Sequence, residues 1–375
     1  MQLKNKVIMA AAGSGKTWGI CNSVRHVSAY TSKKILITTY TNKGIDAVLS
    51  EYKKQNMGVI EKNVVVKTWF QFLLSDLIKP YQKCIVADYN VIRSIDFTHS
   101  YGYINYNKRG TKERYLNSNN DVLSNTVSEL AVECNKSSKQ KVIKRLEEVY
   151  SHIFIDEVQD LTGEDFTILE MLINSSIKVC YVGDYKQATY KTHNTIKNKS
   201  ESGINIIKYF KMMEKNNKIN LIYNSSSRRF NADICKFSNL IYPDSDNINT
   251  IMDEVTEHDG VYLVSKNDIE LYFNKYKPTV LKYDIKTNTL GYDSYNFGQC
   301  KGLTFDRVLI FPNGPYKDFL YGKEFKDPSK YYVSATRAKY SIAFVVDKLF
   351  ENDRFYRYCI CINDKEICVS RYNGK

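Results

Sequence analysis

Two stretches of this sequence carry residues whose types and order can do chemistry. The first is Ala10-Ala-Ala-Gly-Ser-Gly-Lys-Thr17. Glycines at 13 and 15 let backbone N–H groups curl around phosphate oxygens, because only glycine reaches those backbone angles without strain. A helix starting at once behind them would add its positive N-terminal end. Lys16 would then reach the β- and γ-phosphates of a nucleotide, and the Thr17 hydroxyl would bind Mg²⁺. The second stretch is Ile153-Phe-Ile-Asp-Glu-Val-Gln-Asp160. Its apolar run ends on paired carboxylates. Asp156 suits Mg²⁺, directly or through water, and Glu157 suits a general base acting on the attacking water. Ala12, Gly13, Ser14, Gly15, Lys16 and Thr17 are therefore the candidate nucleotide-binding residues, with Thr17 and Asp156 for the metal. Taken singly, the first stretch could be a glycine-rich turn and the second a helix-capping acidic cluster. Together they point to ATP and Mg²⁺.

Chemistry of this kind needs strands that end at one edge of a sheet. Short apolar runs alternate with helical stretches, the pattern of a parallel α/β sheet. Lys6 to Met9, Lys34 to Thr39, Val64 to Lys67, Ile153 to Asp156 and Lys178 to Val182 read as buried strands. Open sheets of this type place ligands at the carboxyl ends of their strands, where Gly13 and Asp156 fall. A second series is expected from Ile219 to Ile222, Val261 to Val264, Val308 to Phe311 and Ile342 to Val346. The boundary is placed near Lys199 to Gly203, giving domains over 1–200 and 201–375. An insertion falls at about 80–145. Within it, Tyr101 to Asn120 is basic and aromatic, and is either a nucleic-acid surface or a solvated loop. Tyr242 to Glu257 reads as an acidic, Asn-rich loop. Near the end, alternation around Cys359, Cys361 and Cys368 predicts a hairpin. Paired cysteine spacing and histidines are missing there, which disfavours a metal site.

The chain has 375 residues, enough for two or three domains. Its formal charge of +13 favours a polyanionic partner, since each neutralised phosphate releases counterions. No apolar run is long enough to span a membrane, and Met1 to Met9 lacks a secretory pattern. A cytoplasmic location with reduced thiols is the expectation for the nine scattered cysteines.

Further strings follow in order: Ile37-Thr-Thr-Tyr-Thr-Asn-Lys43, Lys67-Thr-Trp-Phe70 and Val182-Gly-Asp-Tyr-Lys-Gln-Ala-Thr-Tyr190. The second half adds Ser227-Arg-Arg-Phe-Asn231, Lys301-Gly-Leu-Thr-Phe-Asp306 and Val333-Ser-Ala-Thr-Arg-Ala-Lys339. With these the chain resembles the superfamily 1 helicases of the UvrD/Rep/PcrA type from about Lys6 to Lys348. The resemblance implies two tandem RecA-like parallel-sheet domains, a P-loop NTPase with nucleotide in the interdomain cleft. It implies that Gln187 senses the γ-phosphate, that Arg337 is the arginine finger and that Arg229 also faces phosphate. It further implies Gly302 at the nucleotide. Tyr40, Thr41, Asn42, Trp69, Phe70 and Tyr190 match strand-contacting positions, although Trp69 and Phe70 also suit a helix core. Single-stranded DNA is the implied partner, with RNA possible, and the implied activity is that of a 3′→5′ helicase or translocase. The alternative is a nucleotide-switched DNA-binding ATPase that signals to a nuclease or other effector. A replication or repair protein is a further possible partner.

The chain departs from the family in places. No adenine-reading glutamine helix precedes the first loop. Arg228 replaces a tyrosine, Thr192 a tryptophan, Gly298 a histidine and Thr304 a glutamate. The large second-domain insertion has no room between Ile241 and Phe297.

Overall fold

Along Lys34–Thr39 the side chains alternate between two cores. Ile35 and Ile37 pack with Ile20, Cys21, Val24, Val48 and Tyr52, while Leu36 packs with Trp69, Phe72, Leu77 and Tyr150. Ile153, Phe154 and Ile155 alternate in the same way. A strand buried on both faces must be apolar throughout, which is why these runs are continuous. The computed structural model describes residues 5–86, 91–98, 107–189, 202–362 and 365–374.

The first sheet has six strands, in the order Val64–Thr68, Lys34–Thr39, Tyr150–Ile155, Lys178–Gly183, Asn5–Ala10 and Ile219–Asn224. From Val64–Thr68 to Asn5–Ala10 every neighbouring pair runs parallel. Ile219–Asn224, expected to open the second series, instead completes this sheet. The chain accordingly divides after Tyr223 rather than near 199–203, and residues 199–201 lie outside those described. The first unit comprises 1–9 and 16–223, and the second comprises 224–375 together with the loop 10–15.

Helix Lys16–Ser28 follows the first strand and its phosphate loop. Helix Asn42–Gln55 is capped by the Thr41 hydroxyl, which accepts from Gly44 N at 3.0 Å. The turn Trp69–Phe72 starts in a capping box, with Thr68 and Gln71 satisfying each other's backbone. It runs into a π-helical segment, Leu73–Ile78, whose buried Asp76 accepts from Tyr150 at 2.8 Å and pairs with Lys67.

The second unit holds a seven-stranded sheet. Its order is Ser294–Asn296, Thr279–Lys282, Phe305–Phe311, Ala338–Val346, Gly260–Ser265, Lys365–Tyr372 and Phe355–Ile362. The first five strands run parallel, and the last two form the expected antiparallel hairpin at one edge. Cys359 faces Cys368 there, with their sulfurs 3.9 Å apart on an exposed face. Hydrogen bonding to Glu366 pushes the Cys359 thiol up to about 11. Among the described residues no three His, Cys, Asp or Glu side chains are placed to hold a metal ion. The segment expected to be an acidic loop adds a short strand, Asn249–Thr250, pairing with Ser226–Ser227. No described helix is long and apolar enough to cross a membrane.

Candidate phosphate and strand-binding site

Parallel pairing brings the carboxyl ends of five strands to one edge of the first sheet. The segments leaving that edge begin at Ala11, Tyr40, Trp69, Asp156 and Asp184. Topology alone therefore gathers the phosphate loop, the two carboxylates, Gln187 and the expected strand contacts on one side.

In the phosphate loop, Gly13 and Gly15 have φ of +75° and +83°, which L side chains rarely adopt. Space also demands glycine at 13, since a Cβ there would lie 2.4 Å from Cβ of Arg229. Ala12 is fully buried, and Ser14 N donates to Ala11 O at 3.2 Å. Ser14 Oγ is buried without a hydrogen-bond partner, an unmet polar atom of the kind that folded proteins seldom leave. Lys16 and Thr17 form the first turn of the following helix. Within the second unit this loop bonds to the chain after Asn224. Ala11 N donates to Asn224 O at 2.8 Å, and Arg228 N donates to Gly13 O at 2.9 Å. A cavity of about 360 Å³ opens there, lined by Gly13, Gly15, Arg228, Arg229, Thr304 and Lys339.

Asp156 follows its strand directly and is buried. Its N–H donates to Thr38 O at 2.8 Å, and its Oδ1 accepts from Glu157 N at 2.9 Å. Glu157 sits at φ 57°, ψ 39°, the left-handed region. For a glutamate this costs on the order of 1–3 kcal/mol, a strain that clusters at functional sites. Its Oε2 accepts from Gln159 Nε2. Gln187 is buried at the end of the turn Tyr185–Gln187, and its Nε2 donates to Asp184 Oδ2 at 2.8 Å.

The two arginines meet at Thr336. Arg229 Nη1 donates to Thr336 O at 3.0 Å, and Arg337 Nη2 donates to Thr336 Oγ1 at 3.1 Å. Arg337 is 1% exposed and also bonds to Val333 O and Leu303 O. Gly302 holds φ of +85° with open space where a Cβ would stand.

These residues fit a nucleoside triphosphate with Mg²⁺. Left-handed glycines precede a helix N-terminus, an unmet hydroxyl lies in the loop, and hard oxygen donors stand at Thr17 and Asp156.

The strand-contact residues divide. Thr41 and Asn42 are exposed at a helix start, and Tyr40 is half-buried, 5.9 Å from the Phe70 ring. Trp69 corrects the expectation of a base-stacking ring. It is 1% exposed, packs on Phe72, and its Nε1 donates to Asp165 Oδ1 at 2.8 Å. Phe70 is buried as well, edge-on to Phe97 at 5.2 Å. Both rings spend their faces on the core. Tyr190 and Thr192 lie outside the described residues. The described part of the basic insertion is largely tied down. Arg109 bonds Glu164 at 2.8 Å, Arg114 bonds Glu129 at 2.8 Å, and Tyr115 is fully buried.

Two residues went unread in the sequence, Gln159 and Asp184. Both are buried, and both join the groups above. Their positions beside Glu157 and Gln187 were the only signal available.

The family model for the UvrD/REP helicase N-terminal domain matches residues 100–198. Among solved structures the chain is similar to one described as a complex of arterivirus nonstructural protein 10 (helicase) with DNA. Identity is 14%, with 91% of this chain and 60% of that one covered and a TM-score of 0.45. The chain thus spans about three-fifths of that protein's length. A comparison with curated proteins gives no match. Residues 100–198 are thus similar to the UvrD/REP helicase N-terminal domain, and the two large, mostly parallel sheets have the RecA-like pattern.

Proposed function

We propose that this chain hydrolyses ATP with Mg²⁺ and uses the energy to move along single-stranded DNA, in the 3′→5′ direction, as a helicase or translocase. The observation that carries this reading is that Asp156, Glu157 and Gln187 follow strands ending at the same sheet edge as the strand that leads into the glycine loop before Lys16. Lys16 neutralises charge on the β- and γ-phosphates. Thr17 and Asp156 would hold Mg²⁺, which would offset charge on the phosphate oxygens. The Glu157 carboxylate takes the proton of the attacking water. Gln187 contacts the γ-phosphate, and Arg229 and Arg337 stabilise charge on the transferring group through their planar forks. Tyr40, Thr41 and Asn42 contact the nucleic-acid strand.

Burial of Trp69 and Phe70 removes two stacking faces and favours a second reading. In it the chain is a nucleotide-switched DNA-binding ATPase that signals to a nuclease or another effector without unwinding. A strand-displacement assay run beside a translocation assay separates the two. Unwinding or directional movement driven by ATP supports the motor. ATP-dependent DNA binding with neither activity supports the switch.

A further inference from the structure

Gln159 is completely buried, and both ends of its amide are engaged. Its Nε2 donates to Glu157 Oε2, and its Oε1 accepts from Asp184 N at 3.0 Å. The orientation of the amide is forced, because a carboxylate needs a donor and a backbone N–H needs an acceptor. The strand end passes flush against it, and a Cβ on Gly183 would lie 2.4 Å from Gln159 Oε1. Asp184 then continues the chain of bonds. Its Oδ1 accepts from Lys186 N at 3.1 Å, and its Oδ2 accepts from Gln187 Nε2 at 2.8 Å. One amide thus stands between the carboxylate assigned as base and the turn that carries the assigned γ-phosphate sensor.

We propose that Gln159 is a positioning residue that couples the Glu157 carboxylate to the Asp184–Gln187 turn, so that base and sensor are aligned together. This rests on the hydrolytic reading of the site above. Gln159 supplies a fixed donor, and the same side chain fixes the start of the turn. A shift at Gln187 would pass through Asp184 N to the Gln159 amide and on to Glu157.

Two variants test the coupling. Gln159→Met keeps length and bulk and removes both hydrogen bonds. Gln159→Glu keeps the acceptor for Asp184 N and replaces the donor to Glu157 by a second carboxylate. With kcat, KM and ATP binding measured, Gln159→Met is expected to lower kcat roughly 10–100-fold, with ATP affinity changed by less than about threefold. Gln159→Glu, where a like charge faces the Glu157 carboxylate, is expected to lower kcat at least as far, again with ATP affinity nearly unchanged. A purely structural glutamine would lower thermal stability and leave kcat of the folded variant near wild type. Lys16→Ala serves as the control. Wild-type turnover in folded Gln159→Met or Gln159→Glu, with Lys16→Ala inactive, overturns the coupling and leaves the site reading intact. Full turnover in Lys16→Ala overturns both.

Discussion

The segments assigned to phosphate and those expected to handle the strand leave the same edge of the first sheet, yet they are built differently. The phosphate side is made of strained or forced backbone and bonded polar groups. Gly13, Gly15 and Glu157 are left-handed, and Asp156, Gln159 and Gln187 are buried polar side chains. On the strand side, Thr41 and Asn42 are exposed, while Trp69 and Phe70 are core. The difference teaches that strain and buried polarity cost stability and so mark a chemical role. An aromatic ring is as useful in a core as on a base, and its presence marks nothing alone.

The largest effect that sharpens this contrast belongs to Lys16→Ala. It should abolish nucleotide hydrolysis while leaving thermal stability near wild type, because the lysine serves phosphate charge rather than packing. Near wild-type turnover would remove the nucleotide assignment. Next comes Glu157→Gln, which keeps shape and hydrogen bonding but loses the base. Turnover should fall roughly 10²–10⁴-fold with ATP binding retained. Parallel loss of binding and turnover would mark Glu157 as structural.

Trp69 should behave in the opposite way. Trp69→Phe removes one donor from the buried Asp165 carboxylate, which also accepts from Ser128 and Thr162, and should cost about 1–3 kcal/mol of stability. The affinity of the folded protein for single-stranded DNA should stay within about twofold. A loss of DNA affinity with unchanged stability would return Trp69 to the strand path.

The smallest effect is expected from replacing Lys108, Arg109, Lys112 and Arg114 together by alanine. Arg109 and Arg114 are paired with Glu164 and Glu129, so half of this positive charge is neutralised locally. The slope of log affinity for single-stranded DNA against log salt should fall by less than about 1.4, the value for two phosphate contacts. A drop near 2.8, four contacts' worth, would make the insertion a full nucleic-acid surface.

Much of the fold could be read from the sequence because apolar runs and glycine spacing report backbone directly. The strand candidates were placed where the strands lie, as was the terminal hairpin. The unit boundary was missed because Ile219–Asn224 looks the same whether it opens one sheet or closes another, and only pairing decides. Gln159 was missed because its role depends on Asp184, which stands far from it in sequence and adjacent in space. Arg337 was read from a motif, but its grip on Val333 O, Leu303 O and Thr336 was not legible, since main-chain acceptors leave no residue signature.

The most direct test of the central claim, that hydrolysis here serves movement on a strand, is the steady-state ATPase rate with and without single-stranded DNA. The account predicts a rate that rises at least tenfold on adding the strand, saturates with strand concentration, and disappears in Lys16→Ala. A rate indifferent to every nucleic acid offered would contradict it.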